Sequence, residues 1–167
     1  MKKLFAVLAM ALMVMFAAVP TQAATTGQAV TDEGANYLLD IVFQDIAVES
    51  FRLELFCNDL AGAIADTHTF ASFTACTGGV GETPKVLTRG AGWTLSGTAP
   101  AQAAFTQQDF SFTGDLTTNA TIYGYCIINN ASAITIGCEA LTSAFLPHNG
   151  YHLYITPTVK LSKGTAN

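Results

Sequence analysis

Residues 4–19 form an unbroken apolar run behind Lys2 and Lys3, closed by Pro20 and followed by Thr21-Gln22-Ala23. A basic start, an apolar stretch and small residues behind it are the parts of a bacterial-type export signal, with cleavage expected after Ala23. The run falls short of the ~20 residues a membrane span needs, and no positive stop signal follows it. A soluble, secreted or periplasmic product is therefore expected. Residues 24–30, ATTGQAV, read as a flexible N-terminal arm or an edge strand. In TDEGANYLLDIVF the pattern turns helical: Ala35, Leu38, Leu39, Val42 and Phe43 recur at i, i+3, i+4, i+7 and i+8. Thr31 suits the N-cap, and Asp32 and Glu33 favour the positive end of the helix. The stripe is expected to pack on a sheet.

From about residue 50 the period becomes two. In FRLELFCND, Phe51, Leu53, Leu55 and Cys57 alternate with Arg52, Glu54 and Phe56, which predicts one buried face. THTFASFTAC, KVLTR, GWTLS, AAFTQQDFSFTG, ATIYGYCII, AITIGCEAL and YHLYITPTVKLS continue the series, bounded by Gly, Pro, Asn or Asp. Seven or eight short strands with no second helix predict a mainly β fold. The expectation is an antiparallel, jelly-roll-like β-sandwich with one short N-terminal helix, as a single domain over residues 31–167.

The stretch TIYGYCIINNASAITIGCEAL sets a cysteine in each arm of a hairpin. If Cys126 faces Cys138, then Gly124 faces Ala140, Ile128 faces Ile136, and Ala131-Ser132-Ala133 forms the tip. Each opposed pair is then apolar, as a buried face requires. A directly opposed pair brings Cβ atoms to about 4.5 Å, near disulfide reach. The tip lacks the glycine expected at a left-handed position. All four cysteines, Cys57, Cys76, Cys126 and Cys138, lie beyond the signal, and an even count in an exported chain favours disulfides. Cys57–Cys76 with Cys126–Cys138 is the favoured pairing, with the other two connectivities and free thiols still open. Spacings of 18, 49 and 11 residues between cysteines do not match the close pairs of a zinc site.

Charge narrows the partners. Cleavage after Ala23 leaves 144 of the 167 residues, enough for one domain with a full core. It also leaves five cations against twelve carboxylates, a net charge of about −7. Arg52, Lys85, Arg89, Lys160 and Lys163 are scattered, whereas phosphate backbones and anionic membranes demand clustered Lys and Arg. Neither nucleic acid nor membrane is expected as a partner. A surface poor in charge and rich in Thr, Ala and Gly suits a packed assembly as well as an ordinary secreted β domain.

Reaction chemistry is sparse. His148 and His152 stand at i, i+4, but Asn149-Gly150 between them marks a turn, not a helical metal face. Asp66 and His68 lack the G-x-S-x-G elbow that would supply a nucleophile. Asp109, Asp115 and Glu139 show no spacing that implies the shared cleft of a glycosidase. The glycines of TGGVG precede neither Lys-Ser/Thr nor a helix, so no phosphate cradle is read there. No metal and no cofactor are expected. Trp93, Tyr123, Tyr125, Tyr151 and Tyr154 are the candidates for an interface or for stacking on a glycan, although strand aromatics are commonly core.

The order VTDEGANYLLD, LELFCNDL, DTHTFASFTAC, PKVLTRGAGWTLS, QQDFSFTG, TIYGYCII and YHLYITPTVKLS resembles a group of small tailed-phage virion proteins of head-fibre or tail-associated type. The likeness covers residues 30–162. It implies a non-enzymatic, β-rich part of an assembly. Two features depart from that pattern: the export signal, and cysteines where the family usually has Thr or Tyr, Glu or Ala, an aromatic and an apolar residue. Together they imply a virion-type module reused outside the cytoplasm, as a self-assembling subunit of an extracellular or surface filament or other oligomer. The alternative expectation is a secreted module that binds a carbohydrate or a cell surface.

Overall fold

Among the described residues the chain folds into ten strands and one α-helix. A computed structural model describes residues 28–44, 50–60, 64–96, 101–117 and 120–161. The expected export signal of residues 1–23 and residues 24–27 of the expected arm lie outside them. In chain order the elements are β1 (Gln28–Val30), α1 (Asp32–Phe43), β2 (Phe51–Phe56), β3 (Lys85–Leu87), β4 (Trp93–Ser96), β5 (Ala101–Phe105), β6 (Gln108–Ser111), β7 (Ile122–Asn129), β8 (Thr135–Phe145), β9 (His152–Ile155) and β10 (Thr158–Leu161). Eight strands form one sheet in the order β3-β2-β7-β8-β1-β10-β5-β4, and β6 and β9 form a two-stranded ribbon. The fold is mainly β, largely antiparallel and sandwich-like, as expected. No helix among the described residues is long and apolar enough to cross a membrane.

The arm is corrected in part. Residues 28–30 are neither free nor at an edge: β1 lies inside the sheet, antiparallel to β8 and parallel to β10. A strand therefore precedes the helix. The link is short because Thr31 serves both elements. Its backbone N–H donates to the Ile136 carbonyl at 3.1 Å. Its hydroxyl donates to the Thr135 carbonyl at 2.5 Å and accepts from the Gly34 N–H at 3.1 Å, the expected N-cap bond.

The helix is where the pattern predicted, but it is rotated. Gly34 and Tyr37 are buried and Leu38 is half-buried, while Ala35 is exposed and Leu39 is 53% exposed; the side chains of Val42 and Phe43 lie outside the described residues. A Cβ at Gly34 would overlap the backbone of Ile136, so the glycine is what lets α1 lie on β8. Tyr37 is fixed by the Asn129 amide, which donates to its hydroxyl at 2.5 Å.

Two predicted strands are broken where the chain changes layer. AAFTQQDFSFTG divides at Thr106-Gln107 into β5 and β6, and YHLYITPTVKLS divides at Thr156-Pro157 into β9 and β10. Pro157 has no N–H for a ladder, and its carbonyl instead accepts from the Phe105 N–H at 2.8 Å, tying the two crossings together. THTFASFTAC is not a strand: it holds one 3-10 turn, Phe70–Ser72, and an isolated bridge between Ala75 and Phe56.

The sheet buries both faces. Leu53, Leu55, Leu87, Tyr125, Ile127 and Ile136 meet the ribbon residues Phe110, Leu153 and Ile155 in the main core. On the other face Phe56, Cys126, Ile128 and Cys138 form a second cluster covered by Leu60, Ile64, Phe70 and Phe73. Phe56, expected on the polar face of its strand, is thus buried beneath the loop that follows it. Arg52 and Glu54 do keep the polar pairing of that face, 2.7 Å apart.

Candidate functional site

Strands β3 and β4 are the two outer edges of the eight-stranded sheet, yet only residues 88–92 separate them in the chain. So short a link is possible because the sheet curls until its ends approach. Phe51 on β2 meets Trp93 on β4 edge-on, with ring centroids 6.3 Å apart. Trp93 also packs on Phe105 at 5.1 Å, and its indole N–H donates to the Thr88 carbonyl at 3.1 Å. Gly92 turns the link into β4 at φ 89°, where an added Cβ would come within 2.7 Å of the Phe105 ring.

The curl encloses an open cavity of about 750 Å³. Val159 from β10 forms its floor, above the buried Ile127 of β7 and Ile136 of β8, and Leu38 of α1 and Phe51 flank it. Trp93 and Leu95, two apart on β4, supply the opposite wall, with Ala103 the register partner of Leu95 on β5. Polar groups are few. The Gln102 amide donates to the Ser96 hydroxyl at 2.9 Å at one end of β4, and Arg89 stands exposed beyond the other. Arg89 is the single charged lining residue among those described. A volume of this size with an apolar lining and a few polar groups is the form small-molecule sites take, and eight curled strands leave space for one small ligand.

Both disulfides of the favoured pairing are present, Cys57–Cys76 and Cys126–Cys138. Cys126 is the register partner of Cys138, and Gly124 that of Ala140, as the hairpin predicted. Ile128, however, pairs with Thr135, because a bulge shifts the register between Ile127 and Ile128. Ile136 is thereby turned to the inner face, into the main core beneath the cavity floor. The turn closes without glycine: Ala133 takes φ 53°, and the Asn129 side-chain carbonyl accepts from the N–H groups of Ala131 and Ser132 at 2.9 and 2.8 Å.

The five aromatic candidates do not share a surface. Trp93 lines the cavity and Tyr123 packs in the outer cluster. Tyr125 is wholly buried in the main core, where its hydroxyl donates to Glu139 at 2.5 Å. Burial, then the hydrogen bond to Glu139 and its charge, push the Tyr125 phenol well above the usual tyrosine range. Tyr151 packs against Phe145 and His148, and Tyr154 stacks on His152 with ring planes 10° apart.

The remaining titratable groups have local roles. His148 pairs with Asp115 at 2.8 Å and His152 with Asp109 at 3.0 Å, both at the surface. Glu82 is buried under the glycine-rich loop. Burial pushes its pKa up, but the backbone N–H groups of Glu82 itself, Gly79, Val80 and Gly78 outweigh this and hold it below the usual glutamate value. TGGVG is therefore folded around a carboxylate of its own chain. Among the described residues no three His, Cys, Asp or Glu side chains gather as a metal site.

Leu38 stood in the sequence only as part of the helical stripe, Arg89 only as one of the scattered cations, and Leu95 carried no signal of its own. The cavity draws its lining from one helix, six paired strands and a connecting loop, so no local motif marks it. Comparison with protein-family models, with curated proteins and with solved structures finds no match for the chain.

Proposed function

We propose that the protein is a non-enzymatic, exported structural subunit that associates with copies of itself through the free edges of its sheet. The observation that carries this reading is the pair of unpaired edge strands flanking one seam. Val86 on β3 is 57% exposed and Leu95 on β4 is 81% exposed. An edge presents a row of open N–H and C=O groups, and monomeric proteins blunt such edges with charge or proline. Here β3 has Lys85 alone, and β4, WTLS, has no charge at all. A partner strand entering the seam would cover both side chains and extend the sheet.

Export is supported by the signal-like start and by two disulfides that need an oxidising compartment to persist. The likeness to phage virion proteins agrees with a subunit of an assembly. The carbohydrate-binding alternative would call for neighbouring exposed aromatics, and the five candidates lie apart.

The test is the mass of the disulfide-bonded protein in solution by light scattering. The native chain should exceed its monomer mass, and Val86→Lys with Leu95→Lys should return it to the monomer. A native protein that stays monomeric over the accessible concentration range overturns the proposal, as does a double variant that associates unchanged.

A further inference from the structure

We infer that the cavity is a binding site for a single-chain amphiphilic anion, a long-chain carboxylate whose tail lies along Val159, Phe51 and Trp93 and whose head group reaches Arg89. The inference does not require self-association, since the cavity belongs to one chain; the two readings share Leu95, and Arg89 and Ala103 belong to the cavity alone.

Three observations select this class of ligand. The first is the lining, which is apolar along the floor and along the Trp93–Leu95 wall. A sugar or a nucleotide would leave most of its hydroxyls or phosphates without partners there, which is costly. The second is size, because about 750 Å³ suits one flexible chain and not a two-tailed lipid. The third is charge. The chain carries a net charge of −5, so an anion is repelled by most of its surface. Among the other described cations, Arg52 is bonded to Glu54, Lys85 lies over the Phe110 ring, and Lys160 on β10 does not line the cavity. Arg89 has no carboxylate partner among the described residues, and it stands beside the apolar cavity. A guanidinium there meets a carboxylate with two parallel N–H donors, geometry that a neutral alcohol or an alkane cannot use.

The site contains its own reporter, because Trp93 is the one tryptophan of the chain. Titration of the disulfide-bonded protein with sodium laurate, below its micelle concentration and at neutral pH, should change the Trp93 fluorescence saturably at one laurate per chain. Decanoate, shorter by two methylenes, should bind on the order of tenfold more weakly. Arg89→Glu leaves the floor intact and should weaken laurate about tenfold or more, while improving the binding of dodecylammonium. Ala103→Phe, checked for native circular dichroism, should obstruct the cavity beside the Trp93–Leu95 wall and weaken laurate binding. The inference is overturned if laurate gives no saturable change, if Arg89→Glu leaves laurate affinity unaltered, or if folded Ala103→Phe still binds laurate like the native chain.

Discussion

The hydroxyl of Tyr125 and the carboxylate of Glu139 are register partners across β7 and β8, joined by a 2.5 Å hydrogen bond inside the main core. The next pair along the same ladder is Cys126–Cys138, on the opposite face of the sheet. Two adjacent pairs thus fasten one hairpin from both sides, a polar bond within and a disulfide without.

The inner bond sets an alkaline limit on stability. In the unfolded chain Tyr125 loses its proton near pH 10, but in the folded protein burial and the Glu139 charge hold the proton to higher pH. Above pH 10 the unfolded state therefore binds fewer protons than the native state. Stability that is fully present below that pH is lost as pH rises, with a slope approaching ~1.4 kcal/mol per pH unit for this one group. Urea unfolding between pH 8 and pH 11 should show the decline. Tyr125→Phe should remove most of the slope, and an unchanged slope in that variant would assign the alkaline loss to other groups.

The loop closed by Cys57–Cys76 roofs the outer cluster, since Leu60, Phe70 and Phe73 lie over Phe56 and Cys126. It is pinned at its base by Asn58, whose amide donates to the Ser72 carbonyl at 3.0 Å and whose carbonyl accepts from the Thr74 N–H at 2.7 Å. Replacing Cys57 and Cys76 by Ala should cost about 3 kcal/mol through the entropy of the opened loop. Limited proteolysis should then cut first between residues 58 and 75, with the β7–β8 hairpin still intact. Cleavage elsewhere, or a stability equal to the native protein's, would show that the loop is held by packing without its disulfide.

Features fixed by neighbours in the chain were legible before the fold was known. Thr31 as a cap, the helix after it, the alternation of β2 and the Cys126–Cys138 register all follow from local spacing. What escaped depends on contacts remote in sequence. The helix turned its Gly34 and Tyr37 face inward because Ile136 and Asn129, about a hundred residues away, receive them. Ile136 left the face of Ile128 because one bulge intervened, and a shift of one residue reverses every side chain beyond it. THTFASFTAC has strand composition, yet the short disulfide-closed loop gives it no partner strand except at Ala75. The cavity was invisible for the same reason, since its lining residues become neighbours only when the sheet curls.

Gly34→Ala sets local preference against tertiary contact and decides between them. Alanine is the best helix former, and by propensity alone the exchange inside α1 should stabilise the protein by about 1 kcal/mol. The added Cβ, however, would overlap the carbonyl oxygen, Cα and carbonyl carbon of Ile136, all of them backbone atoms that cannot rotate away. Relief requires α1 to lift from β8, which strains the Thr31 bonds to Thr135 and Ile136 and the Tyr37–Asn129 hydrogen bond together. Overpacking of this kind costs about 1–3 kcal/mol, and here the loss of coupled hydrogen bonds adds to it. The net expectation is a destabilisation of about 2 kcal/mol by chemical denaturation, opposite in sign to the helix scale. The control is Leu39→Ala on the exposed face of the same helix, which should change stability by less than about 0.5 kcal/mol. A Gly34→Ala protein more stable than the native chain would mean that α1 does not rest on β8 at that distance.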